Sequence, residues 1–269
     1  MAHRRTILAL MALAPAVPVI RALAGPARPV SLDDVPICNG GFIQRVDGAA
    51  SRTPDAEADF LEKLGLMEGH LMIGRRLMEG NETRLAIPHF GHPVRELYSW
   101  LEPRIALRGV AQFERELDAM ERLATRGVQG TGGAFAAAWD TALTRLHAAQ
   151  AAVPVALRNN PRFMLEHVAL MVIDVASDYG ESIERGRIVN VVEYHDSSGF
   201  LSYAAQTAAR ERAKGGLAQS SWTEAAAAIE EIRARVYPEL LPPSRLPASI
   251  SWVRARSETI RGIAARVPA

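Results

Sequence analysis

Six histidines follow the first 24 residues of this chain: His70, His89, His92, His147, His167 and His195. A neutral imidazole nitrogen is the commonest side-chain metal ligand near pH 7. His70, His89 and His92 fall within 23 residues, and His89 and His92 flank Phe90-Gly91. If the segment carrying His70 and the segment carrying His89 and His92 fold as an antiparallel helical hairpin, all three come within reach of one another. Glu68 and Glu96 stand close enough in sequence to add carboxylate oxygen. The competing reading is structural. His70 sits beside Met67 and Leu71 at the edge of an apolar face, where a core histidine can bond a backbone carbonyl, and His89 and His92 lie next to prolines and can cap turns. The tighter His-Glu-x-x-His spacing of zinc hydrolases is absent.

A second constellation lies between residues 161 and 185. His167, Met171, Asp174 and Asp178 are spaced i, i+4, i+7 and i+11, which puts them on one face of a helix. Asp174 interrupts the otherwise apolar run from Val168 to Ala176. A buried carboxylate is costly unless it is paired or holds a metal, so His167 and Asp174 join His70, His89 and His92 as metal candidates. Pairing of Asp174 with Arg162, Arg185 or Arg187 is the alternative. Asp178-Tyr179 and Glu193-Tyr194 flank Gly186 symmetrically, and each tyrosine hydroxyl is expected to find a carboxylate across a helix–helix clasp. His195 is expected on the exposed face. Met67, Met72 and Met78 near His70 admit copper, because thioether sulfur suits Cu(I), although flexible methionines are also ordinary core filler.

No catalytic machinery is legible. There is no Gly-x-Ser-x-Gly, no phosphate loop and no dinucleotide fingerprint. The glycine-rich segment Gly127–Gly133 follows a helical pattern rather than a strand, which makes it a linker. Without Cys-x-x-Cys-His there is no covalent c-type haem site, and the single cysteine, Cys38, cannot form an internal disulfide. The sequence therefore predicts no enzyme.

The elements that must position the histidines read as helices. Phe60, Leu64, Met67, Leu71, Gly74 and Met78 recur at three- and four-residue steps and predict a helix over 56–80. Further helices are expected over 82–90 and 93–107, divided by prolines, then over 111–126, 134–153, 161–185 and 193–213. Ser221 with Glu224 has the form of a capping box and opens a helix to 236; a last helix covers 248–265. No stretch keeps a two-residue alternation, so strands are expected to be minor or absent. The fold class is all-α, a multi-helix bundle or an array of antiparallel helical hairpins with about eight helices. Residues 55–269 form the helical domain, with a possible internal boundary near 127–133 or 153–161, after a loop-rich lead-in over 25–54.

The first 24 residues explain themselves differently. A basic start, an apolar run from Thr6 to Ile20 and Ala22-Leu23-Ala24 are the three parts of a secretory signal. Arg4-Arg5 allows twin-arginine (Tat) export as well as the Sec route, and either predicts a soluble periplasmic protein. The apolar run is too short for a membrane span, and no later charge-free stretch reaches that length. Removing the signal takes Lys+Arg from 31 to 28 against 30 Asp+Glu. That near-neutral balance gives no electrostatic case for nucleic acid or an anionic membrane.

Two segments resemble known families. Ile73-Gly74, Leu77, Ala86 and Phe90 are spaced like a single tetratricopeptide motif, within 62–98, but no copy recurs at a 34-residue period and such arrays need at least three. Asp178-Tyr179, Gly186-Arg187-Ile188-Val189-Asn190, Glu193-Tyr194 and Phe200, within 161–205, resemble the periplasmic helical extension of bacterial FTR1-type iron permeases. The permease's membrane helices are absent. That resemblance implies a soluble accessory of a metal-uptake system, with iron first and copper second as the metal, and a membrane uptake component or another periplasmic protein as partner. The alternative is a helical protein–protein interaction module with no metal and no catalytic activity.

Overall fold

The computed structural model describes residues 51–268. The signal segment 1–24, nearly all of the lead-in 25–54, Cys38 and the last residue lie outside the described residues. The described chain is all-α apart from one short hairpin. Helix α1 (Pro54–Glu79) starts at Thr53, whose side chain accepts from the Ala56 N–H, with Pro54 in the first turn where its missing N–H costs nothing. It is followed by α2 (Thr83–His92), a π-helical stretch (Pro93–Tyr98), α3 (Ser99–Leu107), α4 (Glu114–Thr125), α5 (Gly133–Ala151) and the single turn α6 (Val155–Arg158).

Four long helices come next: α7 (Pro161–Glu181), α8 (Val191–Ala213), α9 (Gln219–Val236) and α10 (Ile250–Arg266). Each packs on its successor, and α10 returns to α7, so the four close into an up-and-down bundle. Between α7 and α8 the chain makes the hairpin β1 (Ile183–Glu184) and β2 (Arg187–Ile188), in which Ile183 pairs with Ile188 and Glu184 with Arg187. Arg185 and Gly186 both take positive φ, 50° and 75°, the conformation a two-residue hairpin turn requires. This turn ends α7 four residues before the expected stop.

Helix α1 packs against α8, α2, α7 and α5. Its buried residues are not confined to one face: Leu64 through Leu71 are buried without a break. Two glycines make the close approach possible. A Cβ on Gly199 of α8 would stand 2.3 Å from the Gly69 carbonyl oxygen, and one on Gly69 would stand 3.0 Å from the Phe200 nitrogen. The two backbones are therefore in direct contact at this crossing. A Cβ on Gly74 would meet Phe90 at 2.7 Å, which brings α2 equally close to α1.

Some expectations change. The prolines do not divide 82–107 into two helices, because Thr83–Leu107 is continuously helical through the π stretch. Pro93 has no N–H to give the His89 carbonyl, so the α ladder is already interrupted there, and the wider winding begins at that residue. Ser221 is not a cap. Helix α9 begins two residues earlier, at Gln219, after Gly215 and Gly216 reverse the chain with positive φ. Tyr179 and Tyr194 do not reach carboxylates. Tyr179 donates to the Ala248 carbonyl at 2.8 Å and Tyr194 to the Val236 carbonyl at 2.9 Å. These bonds fasten both ends of the irregular 237–249 segment to the bundle.

Candidate metal centre

His70 lies on α1 next to Gly69, and His89 and His92 lie one turn apart on α2. Opposite them, on α8, is Asp196, three residues before Gly199. The backbone contact at Gly69 and Gly199 brings His70 to Asp196, and the contact of Gly74 with Phe90 does the same for His89 and His92. The Asp196 carboxylate receives all three rings: His70 Nδ1 at 2.5 Å and His89 Nδ1 at 2.6 Å from Oδ1, and His92 Nδ1 at 3.2 Å from Oδ2. Glu96 adds an oxygen 3.8 Å from His92 Nδ1. One ligand atom from each of His70, His89 and Asp196 fits within 4.8 Å of the others, and the same holds for His70, His92 and Glu96. His70, His89 and Asp196 are buried, whereas the side chains of His92 and Glu96 are 18% and 40% exposed, so the cluster runs from the core to the surface.

Electrostatics fix the tautomers. Burial alone would push Asp196 up, but the charges and hydrogen bonds of His70 and His89 outweigh it and hold the carboxyl well below its usual range. An ionised carboxylate only accepts, so each imidazole presents an Nδ1–H to it. Burial works against the charged form of His92, yet its hydrogen bond to Asp196 and the charges of Asp196 and Glu96 leave its pKa raised. The Nδ1 atoms and the Asp196 oxygens already converge, so an ion that displaced the shared protons would be held by imidazole nitrogen and carboxylate together. His89 Nε2 is buried and has no hydrogen-bond partner. The donor set of imidazole nitrogen and carboxylate oxygen suits iron, and equally copper, zinc or nickel.

The other candidates are elsewhere. His167 is buried on α7, its Nε2 3.1 Å from the Tyr203 hydroxyl, and burial, with the charge of Arg210, lowers its pKa to about 3. Asp174 is buried with Oδ2 unpartnered. Burial and the charge of Glu62 push it up, while Lys63 opposes them. Neither residue belongs to the histidine cluster. Arg162 bonds Glu166 and Arg185 pairs with Glu184, so those arginines are engaged locally. Glu68 binds His147 and Gln150 and turns away from the cluster. His195 is not exposed. It is buried beside His89, with ring centroids 5.6 Å apart and Nε2 3.2 Å from the Leu240 carbonyl. Burial and the His89 charge lower its pKa to about 4. Met67 and Met78 are fully buried in the core.

Asp196 is the residue the sequence did not offer. It lies 126 positions from His70. Its one local sign is register, since Asp196, Phe200 and Tyr203 share a helical face and two of the three are aromatic.

No curated protein and no solved structure matches the chain, and no comparison supports the tetratricopeptide likeness. One family model does match, over a stretch holding all four bundle helices and Asp196 but none of the three clustered histidines. Residues 154–267 match the model of an iron permease-associated 4-helix bundle domain.

Proposed function

We propose that this chain is an exported, soluble metal-handling protein, an accessory of an iron-uptake system, with the ion held as cargo by His70, His89, His92 and Asp196. The convergence of three histidines on one buried carboxylate carries the reading. Arginine is the usual partner for a buried acid, and three imidazoles at one acid are hard to account for as packing. The bundle domain over 154–267 supports iron over the other metals that the donor set accepts, and copper stands second. It also supports a membrane iron-uptake component as the partner. The basic, apolar and small-residue order of the first 24 residues supports export to the periplasm by the Tat or Sec route.

Within the chain, Asp196 orients the rings, Phe200 stacks edge-on against His70 with centroids 4.9 Å apart, and the half-exposed His92 and Glu96 give the ion a way in from solvent. The test is elemental analysis of protein purified from the periplasm without chelator or affinity tag. Near-stoichiometric iron is expected, reduced about tenfold or more in His70→Ala, His89→Ala and Asp196→Asn. Protein that comes out metal-free and fails to bind added iron or copper would overturn the reading and leave the interaction module in its place.

A further inference from the structure

A set of carboxylates borders the histidine cluster without cationic partners. Asp178, on the last turns of α7, is 1% exposed, and its Oδ1 has no hydrogen-bond partner. Glu181 follows three residues later on the same face, and its Oε1 is likewise shielded and unpartnered. Across the hairpin, Glu193 stands in the first turn of α8, three residues before Asp196. Asp178 is pushed well up by burial, then by the charges of Asp196, Glu193, Asp174 and Glu181. Burial pushes Glu193 up to about 7, with Asp196, Glu181 and Glu96 adding to the shift and His92 opposing it. Glu181 is raised by burial and by Glu96. Asp178, Glu181, Glu193 and Glu96 therefore face a common space.

The lack of cations is specific to this place. Acids elsewhere on the helices are matched, as in Arg95 with Glu121, Arg256 with Glu231 and Arg266 with Glu224. Among the described residues, no arginine or lysine pairs with Asp178, Glu181 or Glu193. A structural cluster would gain from an arginine here. Like-charged oxygens held together, one of them buried and unsatisfied, instead suit a cation that is not part of the chain.

We propose that Asp178, Glu181, Glu193 and Glu96 form a second cation position, made of oxygen alone, on the outer side of the histidine site. Its ligands select a hard, oxygen-preferring cation of the iron(III) type, whereas the histidine site offers nitrogen. The second position does not depend on the histidines for its ligands, so it can be tested apart from them.

Terbium(III), a hard ion whose luminescence is sensitised by nearby tyrosine, is the probe, titrated into the full mature protein. One saturable site per chain is expected. Glu193→Gln and Glu181→Gln, both at half-buried positions and close to isosteric, should each weaken it about tenfold or more. His89→Ala should leave it unchanged. The two glutamine variants, freed of like-charge repulsion, should melt no lower than the parent without metal, and terbium should raise the melting temperature of the parent alone. Absence of saturable binding, parental affinity in both glutamine variants, or equal loss in His89→Ala would overturn the proposal. The last result would place the ion on Asp196 with the histidines.

Discussion

At the scale of the residue, Asp196 and His167 show two ways to keep an ionisable group in a core. Asp196 stays charged because three imidazole N–H groups converge on it. His167 stays neutral because burial leaves its ring one hydroxyl for company. The second arrangement has a consequence for pH. A histidine with a pKa of about 3 when folded and about 6.5 when unfolded binds more protons unfolded throughout that interval. The stability contributed by neutral His167 is therefore complete above pH 6.5 and falls as the pH drops below it, by about 1.4 kcal/mol per pH unit, while the raised acids Asp174, Asp178 and Glu193 act in the opposite sense. Urea midpoints at pH 7.5 and 5.5, compared between the parent and His167→Gln, isolate this share: the variant should lose less stability on acidification than the parent. His70, His89 and His92 were legible as a cluster because one hairpin joins them. Asp196 was not, because nothing in Tyr194-His195-Asp196-Ser197 tells a shared acid from a solvated one. The exposure expected of His195 failed for the same reason: burial there comes from the 237–249 segment, through Leu240, which has no periodicity to read.

At the scale of the element, the crossing of α1 and α8 sets the site. Gly199→Ala would place a methyl 2.3 Å from the Gly69 carbonyl oxygen, a backbone atom that cannot turn aside. The helices must separate, at a cost of about 1–3 kcal/mol or more, and metal affinity should fall even though no ligand has changed. Chemical denaturation and metal titration of the same variant check both. Most helices were legible to within a few residues, since three- and four-residue apolar steps survive wherever one side of a helix meets water. Helix α1 was legible as a helix but not as one enclosed on several sides. The single face of Phe60, Leu64, Met67 and Leu71 concealed that Leu61, Leu66, Ile73 and Leu77 are buried as well. The prolines misled because a helix that widens at Pro93 can continue through it. The hairpin at 183–188 was missed because two-residue strands carry no pattern.

At the scale of the whole molecule, the candidate ligands come from α1, α2 and α8, so an ion held there ties the N-terminal helices to the bundle. Added at about a hundredfold excess over Kd, it should contribute about 2.7 kcal/mol, or roughly 5–10 °C in melting temperature for a chain of this size. Thermal scans with iron and with a chelator measure this, and His70→Ala should abolish the difference. The bundle domain holds Asp196 but not the histidines, so the site belongs to the combination of the two parts. The distance along the chain that separates them also sets a time. At about 5–20 residues per second, the ribosome delivers Asp196 roughly 6–25 s after His70, and α8 must then dock before the rings have anything to converge on. A nascent chain that stops short of α8 carries the three histidines without their shared acid, so capture of the ion waits until α8 has been made and docked.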